Sequence, residues 1–564
     1  MKLLEKHFDL AFAAPDGIQR LRELILTLAM QGKLVPQDPK DQPASELLKA
    51  IEAEKQRLVK EGKIKQPKPL PEIKPDEVPY ELPQGWVWVR LGNISQIIGG
   101  FAYKSGCFQT ESTKQVLRLG NIRPDAIRLN ENPVFIDDAL GEATSEFCLL
   151  KNDILITMTG TRSKRDYLYT VRVEENPMNG VLLYINQRVG AIRLFFDSRY
   201  VNLALKVETL KDVIFSSATG SANQANIGIS NLREWMMPLP PLAEQRRIVA
   251  KIDRLMARCD ELEKLRGDRN QKRITIHTAA LDRLLTAKES NDFSTAWHFI
   301  TQHFGELYSV KENVAELRKA ILQLAVMGKL VPQDPKDEPA SELLKAIEAE
   351  KRETNTQFRL MPEIKPEDVP HILPKEWEWV RLGNIFDLKS GYSFPKEDEL
   401  ESGKYMYLKV GEMNSKGNEI IITSTSIFLD ESKRVVNALI PANSIIFPKR
   451  GGAIATNKKR LVIEPICVDT NIMAIICPNN IELHFVYHWV LSLDLATLNT
   501  GTSVPQINNK DIYPLLFPLP PLAEQRRIVA KIDQLMALCD RLEHQIEAAT
   551  DKRTELLKAL VAQV

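Results

Sequence analysis

Two stretches of the chain carry apolar residues at alternating steps of four and three. One runs through Ile248, Ile252, Leu255, Cys259 and Leu262, the other through Ile528, Ile532, Leu535, Cys539, Leu542 and Ile546. With polar residues on the other faces, this spacing predicts long helices bearing a coiled-coil seam. Each follows the string PLPPL, whose prolines end the preceding segment and stiffen the start of the helix. The seam has two uses: packing on the helix's own module, or antiparallel pairing of the two helices into a closed, roughly cyclic body. One helix over residues 243–285 would extend on the order of 60 Å and act as a ruler. Shorter amphipathic helices are predicted over 17–30, through Leu21, Ile25 and Leu28, and over 313–327, through Leu317, Ile321 and Leu324. SELLKAIEAEK predicts one more helix in each half, capped by Ser45 or Ser341. A proline-rich connector follows at about 64–84 and again at 361–376, read as an extended strap. Strings such as VWVRL, DILITMT, LLYINQRVGAIRLF, NSIIFP and NIMAIIC alternate apolar and polar residues and predict short strands with glycine turns. The expected class is α+β: two mixed α/β modules with curved sheets, joined by long antiparallel coiled-coil helices.

The pattern occurs twice. Residues 32–55 and 328–351 differ only at Gln42 against Glu338, and both 238–263 and 518–543 begin PLPPLAEQRRIVAKID. WVWVRLGNI (86–94) returns as WEWVRLGNI (377–385). Between these blocks, 95–237 and 386–517 share only landmarks: LRLGNI (117–122) faces LKVGEM (408–413), and TGSANQANI (219–227) faces TGTSVPQIN (500–508). Two near-identical frames therefore hold two divergent modules in an internal pseudo-twofold repeat. Identical frames suit one partner bound twice; divergent modules suit two ligands, or two halves of one asymmetric ligand.

Chemistry narrows the choice. No G-x-x-x-x-G-K-[ST] phosphate loop is present, the nearest approaches to a methyltransferase [DNS]-P-P-[YFW] turn are ENPVF and ENPMN, and F-x-G-x-G is missing. The six cysteines have no zinc-ligand spacing and read as free thiols of a reducing cytosol. His7 and Asp9 interrupt the first apolar stretch, so a cleaved signal is not expected, and no apolar run reaches membrane-spanning length. The pattern is that of a reader or scaffold.

The formal net charge is +1, with 16 Lys/Arg against 15 Asp/Glu over 95–237 and 13 against 14 over 386–517. Any nucleic-acid surface must therefore be local. Three candidates stand out. Basic turns after a strand hold Arg162, Lys164 and Arg165 in the first module and Lys449, Arg450, Lys458, Lys459 and Arg460 in the second; they suit phosphate and major-groove contact. The loop after LGNI holds Lys104 and Ser105, then Lys389, Tyr392 and Ser393. Amides at Asn186, Gln187, Asn223, Gln224, Asn226, Gln506 and Asn508 could pair with adenine edges, although such residues commonly cap turns. Trp86/Trp88 and Trp377/Trp379 repeat within the frame, which favours core packing over base stacking.

The paired PLPPLAEQRRIVAKID blocks, each closing a divergent module, and the paired GKLVPQDPKD segments give the whole chain a resemblance to the specificity subunits of type I restriction–modification systems. YINQ before a strand and TGS…Q…I before PLPPL belong to the same resemblance; the second module departs from it, with DTN at 469–471 where the first has NQR. The resemblance implies five segments: an N-terminal helical block (1–63), a first target recognition domain with its strap (64–240), a central helical block (241–360), a second domain with its strap (361–520) and a C-terminal helix (521–564). It implies that each domain reads half of a split double-stranded DNA target. It implies no cofactor on this chain. S-adenosylmethionine would sit on two modification subunits that methylate adenine N6. ATP and Mg would sit on two restriction subunits where these join. Base flipping into the partner would make a local catalytic pocket unnecessary, and partners would supply the missing positive charge. The complex would be cytoplasmic. A fused methyltransferase or nuclease, and a scaffold binding only protein, are the rival readings.

Overall fold

The computed structural model describes residues 9, 12–221, 224–287, 289–354, 360–498 and 505–562. The chain forms two compact units, one of residues 1–267 with 550–564, the other of 268–549.

In the first unit, helices α1 (Gly17–Met30) and α2 (Ala44–Lys60) precede the module. Ser45 does not cap α2. Pro43 occupies the cap position in extended conformation, and the helix begins one residue earlier, at Ala44, whose N–H reaches Gly85 O at 2.8 Å. The strap runs over the frame with a single 3-10 turn at Pro75–Glu77. Arg90 pins it, donating to Pro71 O (2.8 Å), Glu72 O (3.4 Å) and Glu77 Oε2 (3.0 Å).

Besides a two-residue hairpin at Ile122–Arg123 and Ala126–Ile127, the module's strands are β1 (Val87–Arg90), β2 (Ser95–Gly99), β3 (Lys114–Leu117), β4 (Ile154–Thr157), β5 (Thr159–Gly160), β6 (Thr170–Arg172), β7 (Leu182–Ile185), β8 (Val189–Leu194), β9 (Thr219–Ser221), β10 (Gln224–Asn226) and β11 (Met236–Leu239). β1 pairs antiparallel with β11, so the two ends of the module meet on the frame. The central sheet has the order β2-β8-β4-β6. β4 does not alternate polar with apolar as the sequence suggested; all four of its residues are buried. Ile154 and Ile156 face the core shared with the helices, while Leu155 faces a second core with Leu117, Leu183 and Ile185 from the parallel pair β3·β7. A strand covered on both faces has no polar side to show. Helix α3 (Leu242–Thr286) then begins, and continues past Gly267 into the second unit.

The second unit repeats the main plan with α4 (Lys311–Val326), α5 (Ala340–Thr354), β12 (Glu378–Arg381), β13 (Asp387–Ser390), β14 (Tyr405–Leu408), β15 (Ser444–Pro448), β16 (Arg460–Val462), β17 (Cys467–Val468), β18 (Ile472–Ile476), β19 (Leu516–Leu519) and α6 (Leu522–Val561), whose residues from Thr550 onward belong to the first unit. The sheet order is β13-β18-β15-β16, β12 pairs with β19, and β14 with β17 is the parallel pair.

The packing explains why particular frame residues recur. Glu244, at the start of α3, accepts from Trp86 Nε1 (2.9 Å) and Gln37 Nε2 (3.0 Å), and Arg247 pairs with Asp41 at 2.6 Å. In the second unit Glu524 takes Trp377 (3.0 Å) and Gln333 (2.9 Å), and Arg527 takes Asp337 at 2.6 Å. The VPQDPKD and PLPPLAEQRR blocks thus clasp one another, and Trp86 and Trp377 are core residues.

Of the two uses of the seam, packing on its own module accounts for most positions. Ile248, Ile252 and Cys259 are buried in the first unit's core and Leu255 packs against it, while Leu262 is exposed. Ile528, Ile532 and Cys539 are buried in the second, with Leu535, Leu542 and Ile546 against them. Ion pairs from Arg22 to Glu263 and from Arg318 to Asp540 lock α1 and α4 onto the same faces. Among the described residues no helix is long and apolar enough to cross a membrane.

One buried group makes the second unit acid-sensitive. His488, on the helix Leu483–Ser492, has no hydrogen-bond partner at either ring nitrogen, and burial pushes its pKa down to about 4 despite Asp533 at 3.9 Å. Its folded-state pKa lies below the ordinary value of 6.5. It therefore contributes full stability above that value and loses it as pH falls towards about 4. The loss amounts to about 3 kcal/mol at about 1.4 kcal/mol per pKa unit. Urea melts between pH 7 and 4 should show this decline in the wild type and a flatter profile in His488→Phe.

Candidate nucleic-acid interface

At one end of the first module's sheet, β2 and β4 finish and β8 and β6 begin. The loops 100–106, 186–188 and 161–169 leave from this end. β5 pairs with β10 (Thr159↔Asn226, Gly160↔Ala225), which brings the 219–226 hairpin alongside. All three sequence-chosen surfaces therefore meet at one sheet end. The loop after β2 lies directly on the loop before β8: Phe101 N donates to Ile185 O at 3.0 Å, and Phe101 bridges to Asn186. Gly100 is required there, since a Cβ would lie 2.1 Å from Asn186 O.

Lys104, Ser105, Lys164, Gln187 and Gln224 are exposed. Arg162 is exposed but donates to Ala218 O at 2.5 Å, tying the basic turn to the segment that enters the hairpin. Arg165 is corrected as a free cation. Its guanidinium lies 3.9 Å above the Phe215 ring and 2.5 Å from Asp212, so its charge is answered within the module. Asn186 and Asn226 are occupied as turn residues: Asn186 Oδ1 accepts Gln187 N at 2.7 Å, and Asn226 Oδ1 accepts Thr159 Oγ1 at 2.9 Å. Asn223 lies outside the described residues.

The second module builds the same end from different chemistry. Gly391 takes the place of Gly100, with a Cβ there only 1.9 Å from Asp469 O, and Tyr392 N donates to Val468 O at 2.9 Å. Asp469–Thr470–Asn471 therefore stands where Asn186–Gln187–Arg188 stands in the first module. LRLGNI and LKVGEM also coincide, because Leu117 pairs with Ile185 as Leu408 pairs with Val468. The facing of 219–227 with 500–508 shifts by one. Ile227 N donates to Met158 O and Ile507 N donates to Lys449 O, both at 2.9 Å, so Ile227 matches Ile507 rather than Asn508. Residues 499–504 lie outside the described residues.

This register also corrects the second basic cluster. Leu155 pairs with Val171 as Ile446 pairs with Arg460, which places Lys458 and Lys459 just before the returning strand and Arg460 at its start, rather than in the turn. Lys459 is 1% exposed, donates to Leu493 O (2.6 Å) and Asn457 Oδ1 (2.7 Å), and has its pKa pushed down to about 8 by burial; it is withdrawn as a DNA contact. Lys458 is bonded to Asn414 Oδ1, and Arg460 to the carbonyls of Lys459 and Met413. Lys449 donates to Ser390 Oγ at 2.7 Å, and burial pushes its pKa down. Lys389 caps a helix end, donating to Asn437 O and Leu439 O, both at 2.8 Å. Gln506 donates to Asn508 Oδ1 at 2.9 Å. Arg450 is exposed, with no side-chain partner among the described residues, and Tyr392 and Ser393 are exposed on the neighbouring loop.

Each sheet end carries a crevice between the 3-10 turn after the parallel strand and the loop before the central strand. In the first module it measures about 490 Å³ and is lined by Arg118, Asn121, Arg123, Asn186, Gln187 and Arg188, among others. In the second it measures about 430 Å³, with Val410, Arg450, Gly451 and Asn471 on its walls. Sequence reasoning named the amides of the first crevice and passed over Arg188, whose only signal is its adjacency to them.

The sequence model of one family, described as "Type I restriction modification DNA specificity domain", matches residues 83–270 and 374–550, one match for each module. The specificity subunit of the type I restriction enzyme EcoAI of Escherichia coli is 32% identical over 580 residues, covering 96% of this chain and 93% of that one. The EcoEI specificity subunit of the same organism is 28% identical over 590 residues, with the same coverage. A solved structure described as the HsdS subunit from Thermoanaerobacter tengcongensis is 18% identical, covers 86% of this chain and 98% of that one, and has a TM-score of 0.43.

Proposed function

This chain belongs to the type I restriction–modification DNA specificity family, as a specificity subunit with two DNA-recognition modules, and from that premise we propose how it reads DNA and seats its partners. Each module reads one half of a split duplex target with the loops at its sheet end. The observation that carries this is the pairing of one frame with two chemistries: Asn186–Gln187–Arg188 in the first module and Asp469–Thr470–Asn471 at the equivalent place in the second. Identical loops would read a symmetric site; these loops suit an asymmetric one.

The repeated helical blocks seat two copies of one modification subunit, which methylates adenine N6. Ala243, Arg246 and Ala250 form one exposed face at the start of α3, and Ala523, Arg526 and Ala530 repeat it on α6. That face serves none of the clasp contacts, so its identity in both copies suits an external partner met twice. Restriction subunits, where present, join the same assembly. The five-segment division of the chain fits this arrangement of frame and reader.

Co-expression with the methyltransferase partner, followed by sequencing of modified sites, tests the reading. The expected result is a motif of two specified halves around an unspecified spacer; a continuous motif, or methylation by the chain alone, would contradict it. Salt titration of duplex binding by the assembled complex tests the cations. Lys164→Ala or Arg450→Ala should weaken binding by about 1 kcal/mol and lower the salt slope by about 1. Lys459→Met should leave the slope unchanged.

A further inference from the structure

Arg188 sits where the sheet end is best placed to meet base edges. It immediately precedes β8, an interior strand flanked by β2 and β4. The loop after β2 carries exposed Lys104, and the turn after β4 carries exposed Lys164. Neighbouring strands lie about 4.8 Å apart, so the ends of β2 and β4, from which these two loops depart, stand about 10 Å apart on either side of β8. That is close to the width of a DNA major groove, about 12 Å. Loops that leave the sheet at this spacing on either side of Arg188, each carrying an exposed lysine, suit a groove whose phosphate walls meet the loops and whose floor meets the central residue.

The crevice distinguishes Arg188 from its neighbours. Arg118 donates to Asn132 O at 2.5 Å, and Arg123 pairs with Glu131 at 3.0 Å. Arg188 is exposed and has no side-chain partner among the described residues. Its backbone is fixed, since its carbonyl accepts Met158 N at 3.0 Å. A guanidinium on an anchored backbone, with its five donors unpaired, matches the O6 and N7 acceptors of guanine in bidentate fashion. The second module has Asn471 at this place, which lacks that fork.

We propose that Arg188 is a specificity-determining residue of the first module and reads the guanine of one G·C pair in its half of the target. This rests on the reading of the modules as half-site readers. The test is to map modified sites in cells that carry the full chain and its methyltransferase partner, comparing wild type with Arg188→Ala and Arg188→Lys. The wild type should show a G·C requirement in one half. Arg188→Ala should relax that single position by roughly ten- to a hundredfold, leaving the other half strict as an internal control of folding. Arg188→Lys keeps the charge without the fork and should relax the same position less. If Arg188→Ala abolishes modification outright, Arg188→Lys decides: relaxation at one G·C pair supports the proposal, and an unchanged motif overturns it. A uniform loss at all sites with the motif intact would make Arg188 a phosphate contact, and an unchanged motif at full activity would make it bystander surface; either overturns the proposal. A wild-type complex with no split motif would instead overturn the half-site reading itself.

Discussion

Glu244→Ala lowers the stability of the first unit by about 3 kcal/mol. The carboxylate is buried and accepts from Trp86 Nε1 and Gln37 Nε2. Hydrogen bonds to a charged acceptor contribute about 1.5–3 kcal/mol each, and a buried donor left unpaired costs about 1–3 kcal/mol. Trp86 is 6% exposed, so water cannot freely replace the lost acceptor. The effect is a large part of the ~5–15 kcal/mol that holds a typical domain together. Glu244→Gln preserves the shape and one acceptor and should recover about half of the loss. Urea unfolding followed by tryptophan fluorescence checks this; midpoints equal to wild type in Glu244→Ala would show that the clasp does not hold the frame.

Gly100→Ala disables the first half-site and leaves the second intact, and Gly391→Ala does the reverse. The added Cβ would lie 2.1 Å from Asn186 O and 2.3 Å from Asn186 C in the first module, and 1.9 Å from Asp469 O and 2.4 Å from Val468 O in the second. These are backbone atoms at the start of the loop that opens the central strand, so a side-chain rotation cannot relieve the contact. Forced overpacking of this kind costs about 1–3 kcal/mol, and here it displaces the reading loop itself. With each misread base pair worth about 1–3 kcal/mol, discrimination in the affected half should fall by about five- to a hundredfold for each pair that the loop misreads. Gly305→Ala, outside both modules and with nothing within 4 Å of an added Cβ, is the control and should be silent. Equal motifs from Gly100→Ala and wild type would show that the 100–106 and 186–188 loops do not read DNA.

Much of the frame was legible because repetition reveals it directly. Residues 32–55 and 238–263 recur almost unchanged, and the landmark LRLGNI/LKVGEM falls at its structural equivalent. What the repeats do to one another was not legible: that Glu244 joins Trp86 to Gln37 depends on a turn of chain between blocks far apart in sequence. The sheet end was harder to read. Lys459 looks like any cation of a basic turn until the strand register carries it inside, beneath Leu493. Arg165 looks free until a helix 43 residues on presents Phe215 and Asp212 to it (starting at Glu208). Composition shows charge and hides its partner, so the cations that sequence reasoning selected include both free and occupied ones. Arg188 is free for the same reason that it was missed: nothing in its own segment answers it.

The measurement that tests the central claim most directly is the exchange of one module. Residues 95–237 are replaced with the corresponding segment of another family member, the frame blocks 32–55 and 238–263 are kept, and modified sites are sequenced in cells that also carry the methyltransferase partner. The expected motif has one half replaced and the other identical to wild type, because each sheet end reads on its own and the clasp residues Trp86, Glu244 and Arg247 lie outside the exchanged segment. A motif altered in both halves would show that the two modules do not read independently.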